Sequence, residues 1–197
     1  MKRIYLLAAI IILTGISATG FSQKKENPGT WFKTGSVLNY HLLNTTKEYD
    51  FIVSDLIMDN NIAFSWKMTE PVNYAGKIKI FSAAIDTATI MVNYFKDGSS
   101  QNMVNKTTCM LSRKIYKLLK GQQAVNLTID DKIETINFVR NEKYPVKIDG
   151  VQQDLDVMVA ESATGTKIWI LDYPQYPLIV KMEVAFTIDL RSVETAK

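Results

Sequence analysis

One cysteine and one histidine are all that 197 residues supply of the two most versatile catalytic and metal-binding side chains. With Cys109 alone, no intramolecular disulfide forms, so the fold depends on its core. Cys109 and His41 make only half of a closed tetrahedral zinc shell, and two carboxylates would have to complete it. Charge of one sign is equally scarce, because 23 basic and 20 acidic residues are interspersed along the chain. Nucleic acid or an anionic membrane would call for a clustered basic face, so neither is expected as a partner. Neither a Gly-rich phosphate loop nor a Gly-x-Ser-x-Gly elbow occurs, and no cofactor is expected.

What the N-terminus does hold is ordered. Lys2 and Arg3 precede an apolar run from Ile4 through Leu13, followed by the small and polar stretch Thr14–Gly20. That order is the charged, apolar and small-residue pattern of a secretory signal peptide. The run is well short of the roughly 20 residues that cross a bilayer as a helix. Residues 1–22 are read as the leader, 23–30 as a linker and 31–197 as a single domain. An uncleaved anchor would carry the domain across a membrane as well. No cysteine flanks the junction to take a lipid, so the expected location is periplasmic or secreted. Once Lys2 and Arg3 leave, the remaining charges all but balance.

Alternation dominates the rest. Leu178, Val180, Met182, Val184, Phe186, Ile188 and Leu190 form one face of a long strand, or of two strands meeting at a bend. Ile62-Phe64-Trp66-Met68 and Leu38-Tyr40-Leu42 repeat the pattern. Shorter runs at Tyr49–Ile57, Lys77–Phe81, Thr89–Tyr94, Ala124–Ile129, Lys132–Val139, Tyr144–Ile148, Val151–Ala160 and Lys167–Leu171 are separated by turn chemistry such as Lys96-Asp97-Gly98-Ser99 and Asp149-Gly150. The fold class is mainly β (α+β), an antiparallel sheet of about ten strands with one buried side.

One mid-chain helix is expected after Ser112 as N-cap, with Gly121 as its stop. Leu111, Ile115, Leu118 and Leu119 share a face, opposite most of Arg113, Lys114, Lys117 and Lys120. A helical turn at Ser82–Asp86 is a further expectation.

Chemistry-bearing groups are few. Cys109 and His41 as nucleophile and base are an enumeration, not a motif, and a buried, inert Cys109 is the plainer reading. Asp154 and Asp156 lie two apart, on one strand face, as a cation pair or as solvated residues. Asn44, Asn105 and Asn126 open glycosylation sequons. Tyr173-Pro174-Gln175-Tyr176-Pro177 is a stiff loop, either a strand connector or a contact surface for an envelope protein partner. Leu38, Tyr40, Phe64, Trp66, Met68, Val180, Met182 and Phe186 are candidates to pave an apolar cavity, and would serve equally as an ordinary core.

Ser112-Arg113-Lys114-Ile115-Tyr116 with Leu118-Leu119, the hairpin Val146–Gly150, and the tail Ile168–Asp172 through Pro177–Met182 together resemble the half-barrel of periplasmic lipoprotein-localisation factors and related envelope families. The resemblance spans the second half of the domain. It implies a strongly curved antiparallel sheet (half-barrel) covered by the mid-chain helix. It further implies a non-enzymatic protein whose partner is a lipid or other hydrophobic small molecule, held in an apolar cavity.

Overall fold

The computed structural model describes residues 27–45, 47–69 and 73–197. The leader expected over residues 1–22, and residues 23–26 of the expected linker, lie outside them. The remainder of that linker is structured: Pro28–Thr30 form a 3-10 turn, and the Asn27 side chain caps it by accepting the Gly29 N–H at 3.0 Å. No helix among the described residues is long and apolar enough to cross a membrane.

Twelve strands form one sheet: β1 (Val37–Asn44), β2 (Lys47–Met58), β3 (Ile62–Met68), β4 (Ala75–Ile80), β5 (Ile90–Met91), β6 (Ser100–Met103), β7 (Val125–Ile129), β8 (Lys132–Ile148), β9 (Val151–Ser162), β10 (Lys167–Leu171), β11 (Ile179–Glu183) and β12 (Thr187–Glu194). Their order is β5-β7-β8-β9-β10-β11-β12-β1-β2-β3-β4-β6. Neighbours are antiparallel except at the two ends, where β4 pairs with β6 and β5 with β7 in parallel. A short parallel contact of Ser192 and Val193 with Lys147 and Ile148 also brings β12 back to β8. The sheet curves without closing into a barrel. Register shifts within β2, between β10 and β11 and between β8 and β9 accompany this. Each is an irregularity of the kind that bends a strand and steepens its twist. At the β2 shift Asp55 takes φ +50°.

Three expectations change in detail. Lys132–Val139 and Tyr144–Ile148 are one seventeen-residue strand, because β9 pairs through the polar gap at Asn141, Glu142 and Lys143. The long C-terminal alternation is a hairpin, turned at Val184–Phe186 where the Val184 N–H reaches the Phe186 carbonyl at 2.9 Å. Thr89–Tyr94 contributes only the two residues of β5 to the sheet. Its continuation is pulled out of line by the Asp130 carboxylate, which accepts both the Asn93 backbone N–H (2.7 Å) and its side-chain amide (2.8 Å).

Two helices cover one part of the sheet, α1 (Ser82–Thr87) and α2 (Arg113–Lys120). Ser112 joins them: its Oγ accepts the Ile115 N–H at 3.3 Å and donates to the Ala88 carbonyl at 2.7 Å. The buried face of α2 is Ile115, Tyr116 and Leu119, with Leu118 only half-buried. Tyr116 displaces Leu118 from the expected set because its hydroxyl finds the Asp172 carboxylate while its ring stays covered. Burial of each such side chain contributes about 1.5–3 kcal/mol. The expected glycine stop is shifted by one residue. Gly121 keeps φ −81°, and Gln122 takes the left-handed position at φ +57°. The N–H groups of Gln122 and Gln123 close on the Leu119 and Leu118 carbonyls at 2.9 and 3.0 Å, a Schellman arrangement.

Candidate functional site

Between the concave side of the sheet and the chain that follows β5 lies a cavity of about 330 Å³. The hairpin of β1 and β2 supplies Tyr40 and Leu42 opposite Phe51 and Tyr49. Met68 of β3, Ile179 and Met182 of β11 and Ile188 of β12 continue the wall. Asn93, Tyr94 and Phe95 close it from across, with Phe186 in the β11–β12 turn and Asn44 and Tyr74 at strand ends.

The wall is pre-formed. Phe51 stacks on Trp66 (centroids 6.1 Å apart, planes 21° apart), and Phe95 lies 4.9 Å from the first ring and 5.1 Å from the second. The buried Tyr40 hydroxyl is spent on the Ile179 carbonyl at 3.1 Å. Burial, with Cys109 and Tyr144 adding to it, holds that hydroxyl protonated far above its ordinary range. Cys109, half-buried as a residue and at φ +58°, turns its thiol into the same apolar wall. Burial pushes the thiol up to about 12, opposed weakly by Thr108. Both groups are therefore neutral at physiological pH. Among the described residues, no Asp, Glu, Lys, Arg or His lines the cavity. Two other clefts, about 360 and 380 Å³, do carry charge: Asp55, Lys77 and Lys79 in one, Asp130, Lys132 and Glu134 in the other.

Of the eight sequence candidates, Tyr40, Met68, Met182 and Phe186 line the cavity. Trp66 stands one layer behind, under Phe51 and Phe95. Leu38 borders only a 20 Å³ residual void further along the core, and Phe64 borders that void and the charged cleft of about 360 Å³. Val180 is fully buried and lines none of these spaces. Strict alternation placed Val180 beside Met182, but the register shift at Trp169 and Ile170, opposite β11, breaks the period, so Ile179 and Met182 face the cavity instead. Sequence reasoning missed Tyr49 and Phe51, although the β1–β2 pairing sets them opposite Leu42 and Tyr40. It had no signal for Asn93–Phe95, whose position depends on the distant Asp130.

The other sequence candidates are not gathered here. His41 alternates with Tyr40 and Leu42 and so projects from the opposite face of β1. There it lies across from Asp50 and Asp189, with its Nε2 3.8 Å from Glu48. The same row continues through Lys181, whose Nζ is 4.5 Å from the Trp169 ring centroid, and Trp169 donates to Glu142 at 2.5 Å. Cys109 and His41 are thus on different faces of the sheet. Asp156 is paired with Lys143 at 2.8 Å while Asp154 is exposed, and no cluster of three metal-ligating side chains occurs among the described residues. The Tyr173–Pro177 loop is tied down: Arg113 donates to the Gln175 carbonyl at 2.9 Å and lies 5.4 Å from the Tyr176 ring centroid.

No protein-family model, curated protein or solved structure matches this chain. The chemistry of the cavity is what remains to argue from.

Proposed function

We propose that this is an exported, non-enzymatic envelope protein that holds a lipid or other hydrophobic molecule in the cavity between β1, β2, β3, β11 and β12. The observation that carries the reading is the cavity itself: about 330 Å³, walled by aromatic and aliphatic side chains and free of described charge. That volume lies within the range of ligand pockets, about 300–1,000 Å³, and an apolar wall with a few polar groups is their usual lining. The Phe51, Trp66 and Phe95 rings, the first two stacked and the third tilted against both, favour a space that stays open without a ligand, because they brace one another. Export is supported by Lys2, Arg3, the Ile4–Leu13 run and the small residues after it. Against catalysis stand the neutral, buried Cys109 thiol and the location of His41 on the other face.

Native purification from the envelope of the producing cell, followed by mass spectrometry of the organic extract, tests the reading. The expected result is a lipid in stoichiometric amount, absent from a control protein. An empty extract, repeated after delipidation and exposure to envelope lipids, would refute it.

A further inference from the structure

The cavity's lining also defines the kind of molecule that fits, on the assumption that it is a ligand site as proposed above. We infer that its ligand is a single-chain amphiphile with an uncharged, hydrogen-bonding head: an alcohol, ester or amide, not a carboxylate, amine or phosphate.

Volume supplies the first half of the argument. At about 30 Å³ for each water-sized group, the space takes roughly ten to twelve heavy atoms. That is one alkyl chain with its head left at the rim, where Tyr74 and Tyr94 are about half exposed, and too little for the two chains of a phospholipid. Charge supplies the second half. A charged head drawn toward this wall would lose water and gain no counter-ion from the described lining residues, and an unpaired charge in an apolar site is strongly penalised. Two charged groups that touch lining residues are of opposite sign. Lys106 sits over the Tyr94 ring, its Nζ 5.8 Å from the centroid, and Asp130 holds Asn93 from behind.

Neutral polar groups are present in the right number. Asn93 gives its amide to Asp130 and keeps its carbonyl oxygen as an acceptor, while Asn44 accepts from Thr45 at 3.3 Å and keeps its amide as a donor. The Tyr49, Tyr74 and Tyr94 hydroxyls make no hydrogen bond among the described residues, and Tyr74 and Tyr94 are about half exposed, 45% and 49%. An alcohol or ester oxygen both accepts from such groups and, for the alcohol, donates to them without a desolvated charge.

The test uses the full-length mature protein and a chain-matched series: dodecanol, monododecanoylglycerol, dodecanoate and dodecylammonium. Each competes against 1-naphthylamine, a fluorescent probe small enough for that space and uncharged near neutral pH. The two neutral ligands should displace the probe at concentrations about ten-fold or more below those of the two ions. Acidification that protonates dodecanoate should tighten its binding and leave dodecanol unchanged. If dodecanoate or dodecylammonium binds as tightly as dodecanol, the head-group inference fails and the cavity reading stands. If dodecanoate outcompetes dodecanol and Lys106→Gln abolishes that advantage, the head is anionic and the inference fails in favour of that lysine. If neither the probe nor any of the series binds, the cavity reading itself fails.

Discussion

Alkylate Cys109 with iodoacetamide at about pH 8, and its burial fixes how slow the reaction should be. Burial moves the thiol from an ordinary 9.0 up to about 12. At that pH an ordinary thiol is about one-tenth thiolate and Cys109 about one part in ten thousand, a deficit of roughly a thousand-fold. The thiolate that does form is the better nucleophile, and a Brønsted slope of about 0.4–0.5 returns roughly 15–30-fold. The net expectation is alkylation about 30–60-fold slower in the folded protein than in the same protein unfolded in urea. Raising the pH toward 10 should keep accelerating the folded protein, while the unfolded control begins to level off near its ordinary value of 9.0. A hydrophobic ligand in the cavity should slow the folded reaction further, because the thiol lies in its wall. Equal rates for folded and unfolded protein at pH 8 would refute the buried-thiol argument. They would also restore Cys109 as a candidate nucleophile.

Alkaline stability follows from the same physics. Burial first, then the Asp172 and Asp189 carboxylates, raise the Tyr116 and Tyr144 hydroxyls above their ordinary range, as burial raises Cys109. Groups that hold protons more tightly when folded contribute stability that is whole below their ordinary values and is lost as pH rises, here from about 9 toward 12. Urea midpoints taken at rising pH should fall across that window, and a flat profile would contradict the assignment. Gln122→Gly should raise stability by about 0.5–1 kcal/mol in a thermal melt, since glycine takes the left-handed C-terminal position without the side-chain clash. Ser112→Ala should lower it by about 1–2 kcal/mol, because one hydroxyl both caps α2 and satisfies the Ala88 carbonyl.

Local pattern was enough to read most of the architecture and only part of the cavity. β1, β3, β7 and α2 were legible because each has one buried face with its own period, and Ser112 sits where a cap is needed. The break in β11 was not, because the register shift that swings Ile179 inward depends on β10 as the neighbour. Strand β6 was missed for a related reason: Ser100-Gln101-Asn102-Met103 has little strand character of its own and is held by its parallel pairing with β4. In the cavity, Tyr40 and Met182 followed from alternation alone. Asn93–Phe95 reach it through the hydrogen bonds of Asp130, 37 residues further along.

Asn39 and Ser192 join their side chains at 3.2 Å across the β1–β12 pairing, 153 residues apart in sequence and near the middle of the strand order. A chain emerging N-terminus first therefore cannot complete its sheet until Thr187–Glu194 is available. Closing so long a loop is entropically demanding and makes for slow folding. Such a delay suits the export proposed above, because a chain whose sheet is incomplete can still thread a translocation channel. It also leaves the edge of β1 unpaired throughout that interval, a template for strand addition by another chain.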